Sequence, residues 1–200
     1  MASVEAIGVT HGATSKPTLL TSYEFSVRKL KTPSDLIKGR LIPAQPLVDR
    51  DAISVCRSVV SVLNVHAEGR GVQVFDRNIG VLTHENPDTV RFPAASVGSR
   101  QRLIGRVLRR SPVLTVDVLS SSNSWTEVLG RTSDFFAAGV REAWVFDPES
   151  REAEVFRPDG PVRRVLADGL FETAELPGFS TALADCFEDL DDAPAPTEDA

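Results

Sequence analysis

Cysteine is nearly absent. The chain carries two, Cys56 and Cys186, far apart and without a metal-type spacing, which excludes a disulfide framework and reads as two reduced thiols. Histidine is almost as scarce, and His11, His66 and His84 show no ligand spacing, so a zinc site is not expected. No run of eighteen apolar residues occurs, and the opening MASVEAIGVTHGATSK has no basic region followed by a hydrophobic core; neither a membrane span nor a signal peptide is expected. The cytoplasm is then the expected compartment. Basic residues are missing from the C-terminus: between Asp185 and Ala200 there are seven acids and no base.

The acidic end changes the meaning of the net charge. The formal charge is −6, yet without those seven acids the rest of the chain holds 22 bases against 21 acids, a near-neutral body that can carry a local basic patch. One is visible in RQRLIGRVLRR, with Arg100, Arg102, Arg106, Arg109 and Arg110. It reads either as a solvated surface or as a set of phosphate contacts to nucleic acid. With 200 residues, 42% of them hydrophobic, the chain is long enough to bury a good core. A single domain is expected over 18–190, preceded by a flexible N-terminus over 1–17 and followed by an acidic disordered tail over 191–200.

Periodicity sets out the elements. LLTSYEFSVRKL is a short helix candidate, and SDLIKGRLI reads as a turn of helix passing into a strand through Gly39. The strongest helix is DRDAISVCRSVVSVLNVHAEGRG, where Ala52, Cys56, Val59, Val60 and Leu63 form one stripe. Strands are expected at Val72 to Phe75, Ile79 to Thr83 and Val90 to Val97, then at Val113 to Leu119 and Glu142 to Phe146. Ser124 to Glu127 has the form of a capping box opening a helix whose Trp125, Val128, Leu129, Thr132, Phe135 and Phe136 share a face. Trp125 and Trp144 read as packing aromatics. EAEVFRP and VRRVL look like a hairpin, Asp147-Pro148 like a turn, and STALADCFEDL like a last short helix.

The stretch SPVLTVDVLSSSNSW poses the chemical question. Val113, Leu114, Val116, Val118 and Leu119 form a continuous apolar run, as for a strand buried on both faces. Asp117 sits inside it. A carboxylate out of water must be paired, hydrogen-bonded or bound to a cation. Three readings are open: an ion pair with Arg131 on the following helix, hydrogen bonds to backbone amides or water, or a metal site.

In VLTVDVLS, FFAAGVREAWVFDP, EAEVFRP and LPGFSTALADCF, with SDLIKGRL and PDTVRFPAASV upstream, the chain resembles the Uma-two endonuclease family of the PD-(D/E)XK restriction-endonuclease-like superfamily. The resemblance runs from about residue 33 to 188. It implies an α/β restriction-endonuclease-like core: a central mixed β-sheet flanked by α-helices, with a C-terminal β-hairpin and a short helix. It also implies metal-dependent hydrolysis of nucleic acid, in which carboxylates hold Mg2+ and a lysine positions water. Carried across residue by residue, the catalytic positions are Asp35, Asp117 and Arg131. Ala94, directly after Pro93, replaces the metal-binding aspartate. Asp117, in place of a glutamate, is the remaining metal position. Asp35 otherwise reads as helix-terminal or solvated, and Glu127 as the capping partner of Ser124 or a displaced ligand. Ala94 removes a ligand from a cation that tolerates little irregularity. Arg131 keeps its proton and cannot take one from water. The expected function is therefore that of an endonuclease-family protein with a degenerate site, weakly active or inactive, or else a nucleic-acid-binding module or an interaction domain such as a homodimer formed through the hairpin.

Overall fold

The computed structural model describes residues 19–31, 34–44, 49–100, 103 and 105–191. The expected N-terminus over 1–17, Arg102 and all but the first residue of the tail over 191–200 lie outside the described residues. Strand β8 (Leu114–Val118) is buried along its whole length. It sits inside a six-stranded mixed sheet, parallel to β9 (Glu142–Asp147) and antiparallel to β6 (Ala95–Ser99). The antiparallel strands β10 (Glu152–Phe156) and β11 (Arg163–Val165) extend one side, and β3 (Val72–Asp76) closes the other, in the order β11-β10-β9-β8-β6-β3.

Side chains alternate across a strand, and that alternation decides what Asp117 faces. Leu114, Val116 and Val118 share one face with Trp144 and Phe146, and pack with the stripe Ala52, Val55, Val59 and Leu63 of helix α2 (Arg50–Ala67). Cys56 and Cys186, both free thiols, are buried in the same cluster. The hairpin of β12 (Leu170–Thr173) and β13 (Phe179–Ala182) completes it through Phe171 and Phe179, each ring against Trp144. Thr115 and Asp117 must point the other way, toward helix α3 (Trp125–Ala137).

Helix α3 opens at the expected capping box. The Ser124 hydroxyl accepts from the Glu127 N–H, and the Glu127 carboxylate accepts from the Ser124 N–H at 2.8 Å. It ends at Gly139, whose φ of +97° continues the chain where a side chain would be strained. Val128, Thr132 and Phe135 are buried, whereas Trp125 and Leu129 stay exposed. The expected packing role of Trp125 is thus corrected: it occupies the first turn, beyond the edge of the buried stripe.

A second sheet, of five strands, lies beside α3 in the order β2-β1-β5-β4-β7. Its members are β1 (Ser34–Ile37), β2 (Arg40–Pro43), β5 (Thr89–Arg91), β4 (Gly80–His84) and β7 (Val107–Leu108). Leu82 and Val107 pack with Phe25 of helix α1 (Ser22–Val27), while the alternate residues Val81 and Leu108 pack with Phe135 of α3. The expectation of one strand from Val90 to Val97 is corrected here. The chain crosses from one sheet to the other at Phe92-Pro93-Ala94, because Pro93 has no N–H for a ladder. SDLIKGRLI is likewise a β-hairpin rather than helix and strand. Lys38 and Gly39 both take positive φ, +50° and +73°, the requirement of a tight two-residue turn. STALADCFEDL starts as β13 and turns into a 3-10 helix (Leu183–Phe187) and a helical turn, α4 (Glu188–Asp191).

Among the described residues no helix is long and apolar enough to cross a membrane.

Candidate functional site

Asp117 faces Arg131. The Arg131 Nη2 donates to Asp117 Oδ1 at 2.9 Å and its Nε to Oδ2 at 3.4 Å, so the guanidinium lies along the carboxylate and engages both oxygens. Their side chains are 18% and 6% exposed. Burial pushes the Asp117 carboxyl above its ordinary range; Arg131 and the Ala94 N–H oppose that shift. Asp117 in turn strengthens the hold of Arg131 on its proton. Ala94 contributes only backbone: its carbonyl accepts from the Cys56 thiol at 3.6 Å.

Three further residues, Asp35, Arg91 and Asp134, complete the cluster. The antiparallel register that sets Leu36 against Val90 brings Asp35 opposite Arg91, and the Arg91 Nη1 donates to Asp35 Oδ2 at 3.3 Å. Arg91 also donates through Nε to Asp134 Oδ2 at 2.8 Å. Asp134 lies three residues after Arg131 on α3, hence on the same helix face. Asp35 therefore belongs to strand β1 and is neither helix-terminal nor freely solvated. Burial raises its carboxyl above the ordinary value although Arg91 pulls the other way. Arg91 and Asp134 escaped the reading of the sequence. The spacing of Asp134 to Arg131 was a usable signal; the cross-strand contact of Arg91 depends on pairing distant in sequence.

Asp35, Arg91, Ala94, Arg106, Asp117 and Arg131 all line one cavity of about 570 Å³. Glu127, the cap of α3, lies on its wall, as does Arg77. The lining carries four arginines, Arg77, Arg91, Arg106 and Arg131, against the carboxylates Asp35, Asp117 and Glu127. With Asp134, which takes the Arg91 Nε, the cluster sets four arginines against four carboxylates and is formally neutral. The turn after β8 is held by Asn123, which donates to the Val118 carbonyl at 3.1 Å, and by Asp49, which accepts from the Ser121 hydroxyl at 2.7 Å. Among the described residues no three His, Cys, Asp or Glu side chains group so as to hold a metal ion.

Arg100, Arg106 and Arg109 of the basic segment do not share one surface. Arg106 enters the cavity, Arg100 lines a separate cleft beside the end of α2, and Arg109 sits 3.7 Å from Glu85 in an exposed pair. The segment is a connection passing through β7, so no single helix aligns its side chains.

The same fold is found in a solved structure. A crystal structure of "a putative nuclease belonging to DUF820" from Anabaena variabilis superposes with a TM-score of 0.71 at 20% identity, covering 86% of this chain and 99% of the other. The family model Uma2, described as "Putative restriction endonuclease", matches residues 24–184, and the chain belongs to that family. No curated protein matches it.

Proposed function

We propose that this chain uses the restriction-endonuclease-like fold to hold nucleic acid through guanidinium–phosphate contacts at the Asp117 cavity, without magnesium-dependent hydrolysis there. The observation that carries this reading is the seat of Arg131, whose guanidinium takes both oxygens of Asp117. Magnesium needs near-ideal octahedral oxygen coordination through one or two carboxylates. Asp117 is occupied by Arg131, Asp35 by Arg91, and Ala94 has no side-chain oxygen to offer. The donor set does not fit the ion. Nor can Arg131 accept a proton from water, since a guanidinium keeps its own.

What the cavity does offer a phosphate is the guanidinium of Arg106, two of whose nitrogens have no hydrogen-bond partner. Retention of labelled single- and double-stranded oligonucleotides by the full chain, measured across a salt series with and without a chelator, tests the reading. Binding should fall log-linearly with salt and ignore the chelator. Binding that appears only with magnesium, or none at low salt, would refute it.

A further inference from the structure

Arg106 is unlike its neighbours in the cavity. Arg91 and Arg131 are engaged by carboxylates. The Arg106 Nε and Nη2 are buried with no hydrogen-bond partner, and the residue lines the cavity. Its guanidinium carbon stands 5.0 Å from the centre of the Phe25 ring and 5.2 Å from that of Phe92. Two aromatic faces fix the cation in place and strip part of its water. Burial accordingly pushes the group below its ordinary pKa. A desolvated cation without a counter-charge is unfavourable, and an entering anion relieves it.

The backbone is built to put it there. Gly105 has a φ of +61°, and a Cβ at that position would lie 2.6 Å from the Ser26 carbonyl oxygen, so only glycine lets the chain pass this close to α1. The Gly80 N–H then donates to the Arg106 carbonyl at 2.8 Å, fixing the residue at the head of β7. The cavity wall also carries the apolar side chains of Leu30, Ile37, Ile42 and Phe92. A volume of about 570 Å³ falls in the range of small-ligand sites. That volume is on the scale of one nucleotide.

We propose that Arg106, staged between Phe25 and Phe92, anchors the phosphate of a single nucleoside monophosphate unit whose base lies on the wall of Leu30, Ile37, Ile42 and Phe92. The inference rests on the reading of this cavity as a nucleic-acid phosphate site and specifies its ligand. The unit has two sources with the same chemistry, a free mononucleotide or the phosphorylated end of a strand.

Fluorescence anisotropy of a labelled single-stranded oligonucleotide with a 5′-phosphate on the unlabelled end, bound to the full chain, separates the possibilities. Adenosine monophosphate should displace it, whereas adenosine and inorganic phosphate should each do so at least about tenfold less well, because each lacks one half of the recognition. Arg106→Gln should weaken the oligonucleotide and the mononucleotide by about tenfold or more, with Arg106→Lys intermediate, in chains whose circular dichroism is unchanged. The comparison of the three competitors on the unmodified chain stands even if the variants fail to fold. Direct binding of adenosine monophosphate without retention of the oligonucleotide supports the inference and assigns the free nucleotide as source. A circular single strand that binds as tightly as the linear one and resists the mononucleotide overturns the inference while leaving nucleic-acid binding intact. No binding of either oligonucleotide or mononucleotide overturns both.

Discussion

Asp117 on β8 and Arg131 on α3 meet side by side with the guanidinium across both carboxylate oxygens, at 2.9 and 3.4 Å, beneath a cavity that leaves the carboxylate only 6% exposed. Removing one partner of a buried pair strands the other, at a cost of about 3–5 kcal/mol. Asp117→Ala should therefore destabilise the fold by that order in chemical denaturation, and Arg131→Met by a similar amount. The double variant should lose much less than the sum. Asp35→Ala should cost about 1 kcal/mol, because Arg91 keeps Asp134. Equal, additive effects would mean that the pair is not coupled.

Thr115 shares the Asp117 face of β8, and its hydroxyl is buried without a partner, as is that of Ser96 directly across the strand pair. An isosteric apolar replacement removes an unsatisfied group. Thr115→Val should leave the unfolding midpoint unchanged or raise it, whereas a clear drop would reveal a hydrogen bond at that hydroxyl.

Much of this arrangement was legible from residue types and spacing. A continuous apolar run announced a strand buried on both faces, and a carboxylate inside it demanded a partner. Arg131, three residues from Val128 and four from Phe135, lies near enough to the apolar stripe of α3 to bend toward the sheet. The parts that were not legible depend on contacts between distant segments. Val90 to Val97 reads as a single strand until Pro93 is seen to carry it between two sheets. Only the pairing of β1 with β5 reveals that Arg91 answers Asp35. Arg106 looked like one of five surface arginines. Its place over Phe25 requires α1 to lie where Gly105 lets the chain approach it.

The pH dependence of stability should carry the mark of Asp35. Burial holds its folded pKa above the ordinary carboxyl value of about 3.9, so the folded chain binds this proton more tightly than the unfolded one. The stabilisation is complete below the unfolded pKa and is lost as pH rises through the folded one. Denaturation midpoints from about pH 3 to about pH 7 should therefore show Asp35→Asn gaining on the unmodified chain as pH rises. A gain in the opposite sense would mean that Arg91 outweighs burial.

The family pattern should be recoverable only as a unit. Ala94→Asp alone adds a carboxylate while Arg131 still holds Asp117, and Arg131→Lys alone leaves an ion short of ligands. Calorimetric titration with magnesium or manganese should show the combined Ala94→Asp, Asp117→Glu, Arg131→Lys chain binding metal beyond the sum of the single changes. Simple additivity would contradict the view of Arg131 as a replacement for the ion.

The most direct measurement is metal-dependent cleavage by the unmodified chain. Plasmid and oligonucleotide substrates, incubated with magnesium or manganese, should be cut no faster than by an Asp117→Ala control, because Arg131 occupies both oxygens of Asp117 and Ala94 offers none. Cleavage that needs the metal and disappears in Asp117→Ala would contradict the account, and would turn the search for the missing ligand to Glu127 and Asp35.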